Sequence, residues 1–330
     1  MDASPWYGYI PTKWVGIVGV VCFSVVAIGE AIQASVLKDY LPIIPFIGTI
    51  IEIAGWGARV KSSADPLSFN AFVCQVAALI IAPCFYTAQI YVVLQYLVRL
   101  YGPDYSILRP KLYAIVFISC DIVALVIQAV GGGIAGSSST NQHTMDTGGN
   151  VMLAGIIIQL IGLSLFCYAG IDFVVRYCKN RPYRTSYAYG VVLNPDLQPP
   201  YSSKRFLSIG LLVAATISIF IRSIYRVVEL AYGWSGPVIT REVYFDVFDL
   251  IPMVVTSALL LGVMWPVTEV KQLPVDVQHI TVEDDNFTKV NTLTTDMSPA
   301  VSYDVTENSL MGDSSYDHDK KNSILSSVKV

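Results

Sequence analysis

The chain has 330 residues, of which 54% are hydrophobic and 14% are charged, and its mean hydropathy is +0.55. These values lie outside the usual range of a soluble domain and indicate a polytopic membrane protein. The net charge of −4 comes from the C-terminal part, since residues 267–330 hold 5 Lys and Arg against 11 Asp and Glu, and residues 1–266 hold 16 against 14. We expect the bilayer, and no nucleic acid, to be the partner of such a chain.

Residues 1–13 are polar and aromatic and lack the pattern of a signal peptide, so we expect them to form a short extracellular N-terminus. Seven apolar segments follow, each near the ~20 residues that a helix needs to cross a bilayer. In order they are Trp14–Leu37, Leu41–Ala58, Phe69–Leu97, Lys111–Gly132, Val151–Val175, Phe206–Tyr232 and Val243–Met264. The predicted fold is therefore all-α, a bundle of seven transmembrane helices over residues 14–266, with a bend or tilt expected at Pro83.

Basic residues in the connecting segments set the predicted orientation. Alternate loops contain eleven Lys and Arg on one side and four on the other, namely Lys13, Arg59, Lys61 and Arg241. The positive-inside rule then places the N-terminus outside and the C-terminus in the cytoplasm. The loop at residues 133–150 is expected to be extracellular and flexible, and residues 267–330 to be a disordered acidic cytoplasmic tail.

The sixth and seventh segments carry charges that would lie inside the membrane. Each has three charged residues spaced i, i+4 and i+7, which places them on one helix face. They are Arg222, Arg226 and Glu229 on the sixth segment, and Glu242, Asp246 and Asp249 on the seventh. Because a lone charge in hydrocarbon costs several kcal/mol, we expect the two sets to meet each other or water.

Further polar residues extend this cluster to other helices. Glu52 on the second segment shares a face with Arg59, and Asp121 on the fourth shares a face with Gln128, just before the glycine run 131–133. With the predicted orientation these groups converge on an outward-facing vestibule, while Asp121 lies near mid-membrane and Glu30 in the inner half. A carboxyl at the depth of Asp121 with no cation beside it is expected to hold a proton at rest.

Two interpretations of this cluster remain open. Arg222, Arg226 and Glu229 could form a structural ion-pair network that locks the second, fourth, sixth and seventh helices together. The carboxylates outnumber the basic partners, however, and an unpaired excess needs water, a proton or a cationic ligand. This excess favours a substrate or translocation path through Glu52, Asp121, Gln128, Arg222, Arg226, Glu229, Glu242, Asp246 and Asp249. The glycine run could serve close helix packing or a flexible helix end.

Several other heptahelical proteins are excluded by missing residues. The seventh segment has no lysine for a retinal Schiff base, and the three histidines, at positions 143, 279 and 318, lie in a loop and the tail rather than in a zinc cluster. The chain contains no P-loop for ATP and no acidic-Arg-aromatic triplet after the third segment. We therefore expect neither a cofactor, a metal nor enzymatic activity.

The motifs of the seven segments resemble those of the fungal lipid-translocating exporter family, also called RTA-like, and the resemblance covers roughly residues 7–266. The matching positions, in chain order, are YGYIP at Tyr7–Pro11; Glu52, Gly55 and Arg59; Ala82, Pro83, Ala88 and Tyr91; Asp121, Gln128 and Gly131–Gly133; Gly149, Asn150, Gly155 and Gln159; Arg222, Tyr225, Arg226 and Glu229; and Glu242 with Asp249. The chain departs from many members at Glu30, where they have histidine, and at Trp56, where they have tyrosine.

The resemblance implies a plasma-membrane protein of fungi that moves or senses amphipathic lipids. The first function that the resemblance implies is a translocase or exporter of sphingoid long-chain bases and similar amphiphiles, such as an aminosterol or a porphyrin. This transporter would work without ATP hydrolysis and would confer resistance to toxic lipids or drugs. The alternative is a heptahelical lipid or stress sensor that signals through its basic third cytoplasmic loop and its tail. The sequence does not determine the oligomeric state.

Overall fold

The computed structural model describes residues 9, 11–37, 40–101, 103–137, 142–179, 181–183, 203–233 and 241–271. Its helices are α1 (Lys13–Leu37), α2 (Ile43–Ala64), α3 (Phe69–Tyr101), α4 (Pro110–Ser137), α5 (Gln142–Cys178), α6 (Ser203–Ala231), α7 (Glu242–Phe245) and α8 (Ile251–Lys271). A 3₁₀ turn, Pro103–Tyr105, precedes α4, and a π-helical segment, Asp246–Leu250, joins α7 to α8. We call α7, this segment and α8 together the seventh span.

Seven helices of the described chain are long and apolar enough to cross a membrane, as predicted. No β-strand occurs among the described residues, so the all-α fold is confirmed. We call the end of the bundle at which α1 begins the N-terminal end and the opposite end the C-terminal end. Odd-numbered spans begin at the N-terminal end, and even-numbered spans end there. The helix α8 continues to Lys271, so the first residues of the predicted tail are helical. The remainder of that tail lies outside the described residues.

Helix α3 occupies the centre of the bundle. In its spanning window 61% of the residues are buried, against 28–44% in the other six spans. It remains one helix through Pro83. Around its middle, Tyr91 packs against Phe117 of α4 and Phe166 of α5, with ring centroids 5.5 and 4.6 Å apart. The opposite faces of the outer helices expose valine and isoleucine, as a lipid-facing surface requires.

The connection between α4 and α5 differs from the flexible loop that the sequence predicted. Helix α4 continues to Ser137 and α5 already begins at Gln142, so only residues 138–141 lie outside the described helices. The reason is glycine packing. A Cβ on Gly131 would lie 2.5 Å from the Met152 backbone nitrogen, and a Cβ on Gly148 would collide with the backbone of Ala135. The two backbones therefore touch, and the contact supports both helix ends.

The glycine run thus serves close helix packing, mainly through Gly131. A Cβ on Gly133 would meet no atom within 4 Å, and one on Gly132 would lie 3.8 Å from the Met152 sulfur. One residue of the three makes the close approach. Farther along the same interface, a Cβ on Gly155 would lie 2.6 Å from the Gln128 side chain, so this glycine leaves the space that Gln128 occupies.

Candidate functional site

Arg59 of α2 binds the first turns of the seventh span. Its Nη2 donates to Glu242 Oε1 at 2.7 Å and lies 3.9 Å from Asp246 Oδ1. The guanidinium also covers the ring of Phe245 at 4.7 Å from its centroid. Arg59 was expected to count among the loop residues that set the orientation, and this was wrong: it lies inside α2 and is 1% exposed.

The chain just before α1 closes over the same carboxylate. The Thr12 backbone nitrogen donates to Glu242 Oε1 at 2.7 Å, and its hydroxyl donates to Oε2 at 2.6 Å. Arg59 also donates to the Tyr9 hydroxyl at 3.2 Å. Burial raises the pKa of Tyr9, so its hydroxyl is neutral at physiological pH. We call these groups the Arg59 cluster, formed by Tyr9, Thr12, Arg59, Glu242 and Asp246.

Asp249 binds two arginines of α6, Arg222 and Arg226. Its Oδ1 lies 2.9 Å from Arg222 Nε and accepts a hydrogen bond of 2.9 Å from Arg226 Nε. Arg226 Nη1 donates to Glu229 at 2.9 Å, and the Tyr225 hydroxyl donates to the other oxygen of Glu229 at 3.0 Å. All of these side chains are buried or nearly so. We call Arg222, Arg226, Glu229 and Asp249 the Asp249 cluster.

Pro83 provides a further partner for Arg222. A proline has no N–H, so the carbonyl four residues earlier, that of Leu79, lacks its usual helical donor. Arg222 Nη2 donates to this carbonyl oxygen at 2.5 Å. A buried cation and a free carbonyl of α3 thereby satisfy each other in the bundle interior.

The π-helical turn separates the acidic residues that the sequence placed on one face. The Ile251 N–H bonds to the Asp246 carbonyl five residues earlier, which makes this turn wider than an α-turn. As a result Glu242 and Asp246 face Arg59 on α2, while Asp249 faces α6. Turns of this kind are frequent at functional sites.

Carboxylates exceed cations in the described interior, as the sequence predicted. Glu52 is fully buried and accepts one hydrogen bond, of 3.1 Å, from Trp56 Nε1. Its other oxygen has no partner among the described residues, and neither has Asp246 Oδ1 by hydrogen-bond geometry. Glu52 lies near Arg222 and Asp249, so it borders the Asp249 cluster without forming an ion pair in it.

Asp121 and Gln128 lie apart from both clusters. Thr87 of α3 donates to Asp121 Oδ2 at 2.8 Å, while Oδ1 has no hydrogen-bond partner in the described part of the chain. Gln128 donates to Gln159 of α5 at 3.2 Å, and Gln159 donates in turn to the Cys84 sulfur at 3.3 Å. The ion pairs thus join α2 and α6 to the seventh span. The fourth helix, which the structural interpretation included, takes part in none of these ion pairs and contributes the Thr87–Asp121 and Gln128–Gln159 hydrogen bonds instead.

A small recess joins Gln128 to the Asp249 cluster. It holds about 20 Å³, room for about one water molecule. Its lining residues come from α3, α4, α5 and α6 and include Pro83, Gln128, Gln159, Arg222 and Arg226. This recess is too small to hold a lipid.

Some contacts of the candidate site were not predicted from the sequence. Thr12 and the Pro83–Leu79–Arg222 contact carry no charge pattern that would identify them. Arg59 and Gln159 were visible as motif residues, but their partners lie 183 and 75 residues away along the chain, respectively. Such partners follow only from the packing of the helices.

The fold and the buried charges define a multi-pass helical membrane protein with ion pairs in its interior. Residues 45–272 match the family described as "RTA1 like protein". The chain belongs to this family.

Three relatives come from Saccharomyces cerevisiae. The chain is 31% identical over 274 residues to a protein named "Sphingoid long-chain base transporter RSB1", covering 77% of this chain and 71% of the relative. It is 30% identical to "Protein RTA1" over 64% and 61% of the two chains, and 31% identical to "Protein RTM1" over 68% and 66%. No solved structure matches the chain at a significant level.

Proposed function

We propose that the protein moves amphipathic lipids carrying a cationic head group, such as sphingoid long-chain bases, across the plasma membrane without hydrolysing ATP. It is a transporter rather than an enzyme in this proposal. The observation that carries the proposal is the excess of buried carboxyl groups over cations, with a free oxygen on Asp121 and on Glu52. The name of the relative RSB1 supports the same class of substrate.

An amine suits these free oxygens chemically. A charge-assisted hydrogen bond from an ammonium to a carboxylate is roughly twice as strong as a neutral one. Asp121 already accepts from Thr87 on one oxygen, and its other oxygen, with the Tyr91 side chain nearby, could accept from an incoming ammonium. The apolar outer faces of the helices leave the hydrocarbon chain of the substrate in contact with lipid throughout the movement.

The path proposed for the head group runs from Asp121 past the Gln128–Gln159 pair to the Asp249 cluster and the Arg59 cluster. The recess beside Gln128 supports this order, because it already connects the amides to Arg222 and Arg226. Opening it requires α6 to move relative to α3. The predicted orientation, with the N-terminus outside, makes the N-terminal end of the bundle the extracellular end of the path.

The test is lipid flux by purified protein in liposomes that contain no other protein. We expect the wild type to speed the transfer of a fluorescent sphingoid base between leaflets in the absence of ATP. Asp121→Asn should fold normally and lose most of this acceleration, since an amide keeps the Thr87 contact but cannot take a proton or pair with an ammonium.

The matched control is Asp172→Asn. Asp172 pairs with Arg176 within α5, 2.8 Å apart, and lies near the C-terminal end of the bundle, away from the path. Flux equal to that of empty liposomes would reject the transporter and favour the lipid sensor, which needs a signalling partner. Full flux by Asp121→Asn at wild-type abundance would remove Asp121 from the path.

A further inference from the structure

A second polar group lies deeper in the bundle, where α1, α2, α3 and α8 meet. Its acidic member is Glu30 of α1, roughly 26 Å along the helix from Lys13 and about 10 Å from Leu37. Glu30 is 1% exposed, and neither oxygen of its carboxyl has a hydrogen-bond partner among the described residues. The Thr49 side chain of α2 faces it. Neither Glu30 nor Thr49 takes part in the contacts described above for the Asp249 cluster and the Arg59 cluster.

The surroundings of Glu30 offer no cation. Besides Thr49 of α2, the Tyr86 hydroxyl of α3 lies near Glu30, and Tyr86 in turn lies near Glu52 of α2 and Ser257 of α8. The α8 backbone carbonyl of Leu261 accepts from Gln33, and no described lysine or arginine forms an ion pair with Glu30. A bare carboxylate here would cost several kcal/mol, so the group that fits this position is a carboxyl with its proton.

The hydroxyl groups of Thr49 and Tyr86 lie between this carboxyl and Glu52. Thr49 Oγ1 and Tyr86 Oη lie 3.0 Å apart, and both side chains are fully buried. Thr49 also donates to the Pro45 carbonyl at 3.0 Å, so in this arrangement the Tyr86 hydroxyl is the donor of the pair. Thr49 and Glu52 are three residues apart on α2, which places their side chains about one turn from each other.

We propose that Glu30 is an intramembrane proton-binding site and that Thr49 and Tyr86 relay its proton to Glu52. The Glu30 carboxyl releases one proton to the Thr49 oxygen, after this hydroxyl turns away from Pro45. Each hydroxyl accepts one proton and passes on its own, and one proton arrives on the Glu52 carboxylate. For this transfer the Tyr86 hydroxyl also turns from Thr49 toward Glu52. Protons then balance along the relay: Glu30 becomes a carboxylate, Glu52 becomes a carboxylic acid, and a proton from the water at the C-terminal end of the bundle restores Glu30.

Such a transfer would change the charge beside the Asp249 cluster. Glu52 lies near both Arg222 and Asp249, so its protonation removes one negative charge next to the ion pairs that hold α6 against the seventh span. Because α6 must move to open the recess, a proton delivered from the C-terminal half of the bundle would alter the ease of opening. This consequence rests on the proposed lipid transport, whereas proton binding by Glu30 does not.

Infrared spectroscopy of the purified full chain tests proton binding directly. We expect Glu30→Gln to remove one absorption band of a protonated carboxyl at neutral pH. The control Asp65→Asn, at an exposed position after α2, should leave that band in place. If Glu30→Gln folds poorly, Glu30→Asp must shift the band instead. An unchanged band in both variants would overturn the proposal.

Flux in liposomes with an imposed pH gradient tests the relay. The ratio of lipid flux with the gradient to flux without it should differ from one in the wild type and return to one in Glu30→Gln and in Tyr86→Phe, which lacks the hydroxyl. A wild-type ratio in Tyr86→Phe would overturn the relay. If the wild type moves no lipid, the proposed function fails, and the infrared result alone decides whether Glu30 binds a proton.

Discussion

The ion pairs of Asp249 predict an order of stability among variants. Replacing Asp249 with alanine removes the carboxylate shared by both arginines, and Arg222 then keeps only the Leu79 carbonyl. Stranding one member of a buried pair costs about 3–5 kcal/mol. Since Arg222 loses its carboxylate and Arg226 keeps only the one of Glu229 among its described ion pairs, we expect a loss near the upper end of this range for Asp249→Ala.

Arg226→Ala should cost less. Asp249 keeps its contact with Arg222, and Glu229 keeps the hydrogen bond from Tyr225. The expected loss is about 3 kcal/mol, roughly a 100-fold change in the ratio of folded to unfolded protein. The control is Arg241→Ala, an exposed arginine just before α7, for which we expect no loss.

The measurement is the amount of monodisperse protein in mild detergent, together with its thermal unfolding. Wild-type abundance and unfolding temperature in Arg226→Ala, combined with lost lipid flux, would refute the structural role and place this arginine in the substrate path. Equal losses in Asp249→Ala and Arg226→Ala would show that the shared carboxylate contributes no more to stability than Arg226 does, which would refute the reasoning.

Two further predictions concern topology and helix packing. A tag at the C-terminus should be protected from external protease in intact cells and a tag inserted near residue 138 should be cut; the reverse pattern would contradict the orientation given by the basic loops. Gly148→Ala should destabilise the α4–α5 contact by about 1–3 kcal/mol, because the added Cβ collides with the α4 backbone. The control is Gly133→Ala, whose added Cβ meets no atom within 4 Å. Equal thermal unfolding of the two variants would contradict this packing.

The sequence predicts the spanning helices well because the membrane imposes a simple constraint. Backbone groups in hydrocarbon must bond within the segment, so long apolar runs become helices. The same reasoning ended the fourth segment too early, at Gly132, and began the fifth too late, at Val151. Residues 133–150 are rich in glycine and polar groups, a composition typical of loops, yet the contact at Gly131 and Gly148 extends both helices. Only the packed partner reveals this extension.

The candidate site was predicted by residue type more accurately than by arrangement. Helical spacing correctly identified the charges of α6 and the seventh span, and the expected carboxylate excess is present. It could not predict the π-helical turn, because such a turn changes the hydrogen-bond pattern without an evident sequence signal. It also could not pair Arg59 with Glu242, since nothing in a single helix indicates which neighbouring helix it faces.

The third helix was predicted to tilt, or to bend at Pro83. Pro83 also leaves the Leu79 carbonyl free to accept from Arg222, which gives this proline a second and testable role. Pro83→Ala restores an N–H that can bond to the Leu79 carbonyl, so α3 should gain up to about 3 kcal/mol. The new bond competes with Arg222, whose hydrogen bond to that carbonyl contributes about 1.5–3 kcal/mol. The two effects largely cancel, and we expect Pro83→Ala alone to unfold near the wild-type temperature.

In an Arg222→Met background the competition is absent, and Pro83→Ala should then stabilise the protein by most of the ~3 kcal/mol. The coupling between the two positions is read from a double-mutant cycle on unfolding in detergent. Pro110→Ala is the control, because Pro110 begins α4, where a missing N–H leaves no carbonyl without its donor. Additive effects of Pro83→Ala and Arg222→Met would show that the Leu79 carbonyl does not depend on Arg222.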